Sequence, residues 1–152
     1  MSHRHVFGFL IVCGGCDDTI DCTNAGCVDG FRIAVSESPA NPLPAGEYEV
    51  ELSLDGTKVL CRATVPSHSP FACDGTAAQL SPIKPMLPER PTTGFSIQVT
   101  ETPATASVIV RHDDAVLTQQ SFSPSYQRSA PNGEECGPIC RSAAGQVLTL
   151  TF

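Results

Sequence analysis

The sequence predicts an all-β domain, a single antiparallel β-sandwich with about eight strands, stapled by disulfides and essentially without helix. Three observations carry this expectation. Apolar and polar residues alternate at period two through several short runs, and no run longer than one turn keeps a helical period. Turn formers are plentiful, with 13 prolines and 12 glycines in 152 residues, which suits short strands joined at close intervals. Eight cysteines is a high count for a chain of this size and, after export, points to disulfides. A formal net charge of -7 with no basic cluster argues against nucleic acid and against an anionic membrane surface as partners.

The chain begins MSHRHVFGFLIVCGGCDD. Arg4 with His3 and His5 makes a weakly basic start, residues 6–12 form an apolar run broken once by Gly8, and Gly14-Gly15-Cys16 follows. That order of features is a signal-peptide pattern, and the apolar run is too short to span a bilayer. With Gly15 standing before Cys16, the stretch resembles a bacterial lipoprotein precursor, in which a small residue precedes the cysteine that takes lipid. The resemblance implies a signal peptide over residues 1–15, lipidation of Cys16, and export. Cysteine parity agrees. Once Cys13 is removed and Cys16 lipidated, Cys22, Cys27, Cys61, Cys73, Cys136 and Cys140 remain, and six can pair completely. The competing reading is a cytosolic chain whose Cys13, Cys16, Cys22 and Cys27 hold zinc.

Residues 16–28 are poor in apolar side chains and read as a tether, ending in a small loop, CTNAGC, closed by Cys22 and Cys27. Asp17, Asp18 and Asp21 are either a weak cation site or a solvated leader. The β-sandwich domain is expected over residues 29–152. FRIAV (31–35) is its first strand, followed by a proline-rich loop. Residues 46–65, GEYEVELSLDGTKVLCRATV, form a β-hairpin about Asp55-Gly56, a type I′ turn signal. A two-residue turn there sets Leu54 opposite Thr57, Leu52 opposite Val59, Val50 opposite Cys61 and Tyr48 opposite Ala63. Tyr48, Val50, Leu52, Leu54, Val59, Cys61, Ala63 and Val65 then share one face, which needs a second sheet to cover it. Glu47, Glu49 and Glu51 share the other, with Glu49 facing Arg62 and Lys58 nearby. The entry Pro44-Ala45-Gly46-x-Tyr48 resembles that of bacterial immunoglobulin-like and carboxypeptidase-regulatory-like β-sandwich modules. It implies fold and no activity.

Cys61 and Cys73 are close enough for a local disulfide. Residues 77–80 add a short strand. Pro82, Pro85, Pro88 and Pro91 recur every three residues, the period of polyproline II. The stretch reads as a stiff crossover between the two sheets, with an aromatic-groove ligand as the other use. Residues 94–101, 106–112, 115–122 and 146–152 are strands. Asp113-Asp114 joins the middle pair without the glycine a tight turn prefers, which leaves that register open.

Residues 124–145, PSYQRSAPNGEECGPICRSAAG, form a long loop, and loops of that length in compact domains are commonly functional. Tyr126, Arg128, Asn132, Glu134 and Glu135 are its candidate binding residues, with Cys136 and Cys140 as a local staple. Together with the signal box and the strand entry, the loop resembles small secreted lipoproteins of myxobacterial type, a resemblance that implies no activity.

No G-x-S-x-G, P-loop, H-E-x-x-H or G-x-G-x-x-G occurs. His68 and His112 are the histidines left after signal removal, and a hydrolase triad or weak metal site built on them has no motif behind it. The expectation is therefore a non-catalytic, monomeric cell-envelope lipoprotein, without cofactor or resident metal. It sits on the membrane through its lipid and binds an unknown protein or glycan through the 124–145 loop. The alternative from another class is a metal-binding or thiol redox protein using the N-terminal cysteines or Cys136 and Cys140. Against the redox form, CGPIC holds three intervening residues where a redox pair has two.

Overall fold

A computed structural model of the chain describes residues 22, 25–36, 41–66, 71–83 and 92–152. The expected signal peptide, Cys16, the aspartates at 17, 18 and 21, His68, and Pro85, Pro88 and Pro91 lie outside the described residues. Among the described residues the chain is all-β, with eleven strands and no helix. They are β1 (Phe31–Ser36), β2 (Gly46–Leu54), β3 (Thr57–Val65), β4 (Ala72–Cys73), β5 (Ala78–Ile83), β6 (Gly94–Val99), β7 (Ala106–His112), β8 (Ala115–Phe122), β9 (Tyr126–Ser129), β10 (Cys140–Ala143) and β11 (Gln146–Thr149). A four-stranded sheet runs β11-β1-β6-β5, a five-stranded sheet runs β4-β3-β2-β7-β8, and β9 and β10 form a separate hairpin.

The β2–β3 hairpin has the register that its alternation and turn dictate. Leu54 faces Thr57, Leu52 faces Val59, Val50 faces Cys61 and Tyr48 faces Ala63. All eight residues of the expected apolar face are buried. They continue across β7, where Val50 meets Val110, Leu52 meets Val108 and Leu54 meets Ala106. The cover is the four-stranded sheet, which contributes Phe31, Ile33 and Val35 from β1, Phe95, Ile97 and Val99 from β6, and Leu148 from β11. Aromatic rings join the layers edge to face. Tyr48 lies 5.0 Å from Phe95 between ring centroids, and Phe31 lies 5.5 Å from Phe122. The arrangement is a two-sheet sandwich.

Both tight hairpins of the five-stranded sheet turn through left-handed residues. Asp55 and Gly56 have φ of 49° and 86°, and Asp113 and Asp114 have 46° and 70°. The second turn works without glycine because its backbone is held from outside. The Asp113 N–H donates to the Glu47 carbonyl at 3.1 Å, and its carboxylate accepts the Glu47 N–H at 3.0 Å. Asp55 is anchored likewise, accepting the backbone N–H groups of Thr105 at 2.8 Å and Ala104 at 3.0 Å. These two amides, Thr105 first, hold the Asp55 carboxyl below its ordinary value of 3.8. A depressed carboxylate stabilises the fold above its unfolded pKa and loses that contribution as pH falls through its folded pKa. The melting temperature should therefore drop as pH is lowered below about 4, and Asp55→Asn should flatten that drop in a pH series of thermal melts.

Three expectations are corrected. The 124–145 segment is not one loop, because its two arms pair as β9 and β10, with Cys140 opposite Ser129 and Ala143 opposite Tyr126. The proline stretch does not cross between sheets, because the strands before and after it, β5 and β6, are antiparallel neighbours in one sheet. β5 itself runs through Pro82, which is tolerated because β5 is an edge strand with no ladder on its far side. The count of eight strands becomes eleven among the described residues, the additions being β4, β9 and β10.

Candidate functional site

A further correction, to the disulfide pairing, changes the geometry of the expected binding region. Cys22 bonds to Cys136 and Cys27 to Cys140, at sequence separations of 114 and 113. Neither CTNAGC nor CGPIC is closed on itself. Cys61 bonds to Cys73 as expected, on the core side of β3. All six cysteines are thus in disulfides.

The two long-range bridges fasten the N-terminal segment onto the tip of the β9–β10 hairpin, and the backbone does the same. Gly30 pairs in parallel with Ser142. Its N–H donates to the Arg141 carbonyl at 2.9 Å, its carbonyl accepts from Ala143 at 2.9 Å, and Asp29 accepts the Arg141 N–H at 2.7 Å. Gly30 has φ of 91°, and a Cβ there would meet the Val99 carbonyl oxygen at 1.8 Å, so this crossing point takes no side chain. Asn132 completes the clamp. Its amide donates to the carbonyls of Ala25 at 2.8 Å and Gly137 at 2.7 Å, and its oxygen accepts the Ala25 N–H at 3.2 Å.

The five candidate binding residues divide into two kinds. Tyr126 and Asn132 hold structure. The Tyr126 ring packs 6.5 Å from that of Phe31, and its hydroxyl donates to the Pro103 carbonyl at 3.1 Å. Burial, and then the Asp55 charge, raise its pKa. Arg128, Glu134 and Glu135 are exposed, and Arg128 forms an ion pair with Glu134. Val28 and Ile139, each next to a cysteine of the Cys27–Cys140 bridge, are 68% and 45% exposed, so the tip presents apolar groups beside charged ones.

A second region is the outer face of the five-stranded sheet. A concavity of about 340 Å³ there is lined by Glu47, Glu49, Arg62, Thr64, Arg111 and Asp113 among others. Four ion pairs run in a chain across this face. Lys58 pairs with Glu51 at 2.7 Å, Glu51 with Arg111 at 3.3 Å, Arg111 with Glu49 at 3.5 Å, and Glu49 with Arg62 at 3.7 Å. Arg111, brought in by β7, is the member that the hairpin pattern alone does not reveal. Lys58, first by its hydrogen bond, holds the Glu51 carboxyl below the usual carboxylate range. Carboxylates committed to cations in this way are an exposed cross-strand network rather than an acid–base pair.

His112 sits at the sandwich end, within 3.1 Å of the Ala45 carbonyl and 4.5 Å from the Tyr48 ring. Beside it the Tyr48 hydroxyl donates to the Pro44 carbonyl at 2.9 Å. Burial, and then the Asp113 charge, push its pKa up to about 12. Gly46 is required where these groups meet, since with φ of 148° a Cβ would lie 2.3 Å from His112 Nε2. The Pro44-Ala45-Gly46-x-Tyr48 entry is thus a corner closed by its own tyrosine. Among the described residues no three His, Cys, Asp or Glu side chains converge as metal ligands. No protein-family model, curated protein or solved structure matches this chain.

Proposed function

We propose that the chain is a non-catalytic lipoprotein of a bacterial cell envelope, tethered through lipidated Cys16, that presents the β9–β10 tip to a protein or glycan partner. One observation carries the reading. The tip is locked by the Cys22–Cys136 and Cys27–Cys140 bridges onto the segment directly behind the lipidation box. Such bridges persist in oxidising compartments, which supports export. They also shorten the tether. Cys22 stands six positions after Cys16, and six steps of chain reach at most about 20 Å. The tip is held near the membrane, and its exposed Arg128, Glu134, Glu135 and Ile139 face whatever partner lies there. Rigid display of a loop on a sandwich is a common binding strategy. The bond from the Tyr48 hydroxyl to the Pro44 carbonyl has the form of a tyrosine corner and supports the immunoglobulin-like reading of the fold.

The test is the intact mass of the protein from its native membranes, before and after reduction and alkylation. A chain beginning at Cys16 with added lipid, and six thiols that appear only on reduction, is the expected result. An unprocessed chain beginning at Met1 with titratable thiols would sink the proposal and turn attention to thiol or metal chemistry.

A further inference from the structure

We propose that Asn132 is a self-modifying position: once its clamp opens, its side chain cyclises onto Gly133 and hydrolyses to a carboxylate, after which the tip cannot close again. The inference goes beyond the tethered-module reading and holds whether or not Cys16 carries lipid.

An asparagine followed by glycine has a side chain open to attack by the next backbone nitrogen, because glycine has no Cβ to shield that nitrogen. Asn132 is the only asparagine of this chain so placed. Asn24 precedes Ala25, whose methyl group hinders the approach, and Asn41 precedes Pro42, which has no N–H to give up.

The fold holds the reaction off at both partners. The Gly133 N–H donates to the Ala130 carbonyl at 3.0 Å and closes the turn 130–133, so the nucleophile is engaged. The side-chain amide of Asn132 is fixed by its bonds to the carbonyls of Ala25 at 2.8 Å and Gly137 at 2.7 Å and to the Ala25 N–H at 3.2 Å. Ala25 lies between Cys22 and Cys27, and Gly137 lies between Cys136 and Cys140. The amide therefore spans the ring that the two long-range bridges close, and local opening of that ring is what frees Cγ to swing to Gly133.

Once free, the Gly133 nitrogen gives its proton to base and bonds to Asn132 Cγ, and the side-chain nitrogen leaves as ammonia. The cyclic imide takes up water and opens at either carbonyl, leaving aspartate or its β-linked isomer, with no oxidant or reductant consumed. Neither product rebuilds the clamp. An ionised carboxylate only accepts hydrogen bonds, so its oxygens would stand against the carbonyls of Ala25 and Gly137, which need the donor it has lost. The β-linked isomer also lengthens the backbone of the turn. The tip thus keeps a one-way record of having opened.

The experiment is a timed incubation of the full-length chain in mildly alkaline buffer, followed by peptide mapping by mass, since the peptide bearing residue 132 gains mass when amide becomes carboxyl. The parent with its disulfides formed should keep the amide over a period in which the reduced, denatured chain converts at residue 132 ahead of residues 24 and 41. Cys22→Ser with Cys136→Ser leaves Cys27–Cys140 in place, and a thermal melt of the same sample checks its fold. This variant should convert about tenfold faster than the parent, because the rate follows the population of the locally open form. Asn132→Asp gives a second reading that removes no bridge. A small dithiol should reduce its Cys22–Cys136 bond about tenfold faster than that of the parent. Conversion in the single-bridge variant no faster than in the parent overturns the proposal. So does a reduced chain that keeps its amide, or an Asn132→Asp chain whose bridge resists the dithiol as well as the parent's.

Discussion

Severing both long-range bridges should cost more stability than the two single cuts added together. With Cys27–Cys140 intact, Cys22–Cys136 closes only the small ring made by residues 22–27 and 136–140. A ring of about ten residues is worth about 3 kcal/mol on the chain-entropy estimate, so Cys22→Ser with Cys136→Ser should cost about that much. Cutting Cys27–Cys140 alone should cost about the same, for the same reason. Cutting both frees a loop of sequence separation 114. Closure of a loop that long is worth about 5 kcal/mol, so the double cut should cost about 8 kcal/mol against about 6 for the sum. A domain stabilised by about 5–15 kcal/mol is left near or below its threshold. Urea unfolding of the two single-bridge variants and the double checks this. Strict additivity would mean that the bridges do not close one shared ring.

Phe95→Ala should be the most damaging single truncation in the core. The side chain is fully buried, and its ring meets Tyr48 at 5.0 Å and Phe71 at 5.6 Å between centroids. It is the point at which β6 of one sheet touches β2 of the other, and the strands on either side limit collapse into the void. A cost of about 3–5 kcal/mol follows. Phe152→Ala is the control. That residue is 51% exposed, although its ring lies 5.9 Å from that of His112, and its loss should cost about 0.5 kcal/mol. Urea midpoints of both variants test the pair, and similar losses would mean that the sheets do not pack face to face at Phe95.

The parts of this fold legible in the sequence are those governed by local chemistry. Period-two alternation and an Asp-Gly turn determine the β2–β3 register because a slip of one residue would turn Tyr48, Val50 and Leu52 to water. The Cys61–Cys73 bridge is legible because both residues lie on strands joined by a short connection. What is not legible depends on contacts distant in sequence. YQRS and CRSA are short and mostly polar, so β9 and β10 carry no alternation, and their pairing is fixed by bridges to residues 22 and 27. Nearness in sequence suggests pairing Cys22 with Cys27 and Cys136 with Cys140. The parallel crossing of Gly30 with Ser142 sets each pair apart and brings the two segments together instead. In the candidate binding region the residue types were legible and their division of labour was not. Asn132 has the composition of a recognition residue and the surroundings of a clamp.

The pairing of β1 with β11 also governs the order of assembly. These strands run parallel, with Ile33 beside Gln146 and Ser36 beside Thr149. A chain is always delivered from its N-terminus, so β1 waits with one flank bare until β11 has been made. The β2–β3 hairpin can form at once, and β6 can reach β1 well before β11 is made. The sheet that covers the core closes only when β11 arrives, because loop closure over such a span is slow to recover its entropic cost. A chain cut short before β11 would leave Ile33 and Val35 open to the nearest strand of another molecule. Completion of the sandwich therefore rests on β11, the latest-made of the described strands.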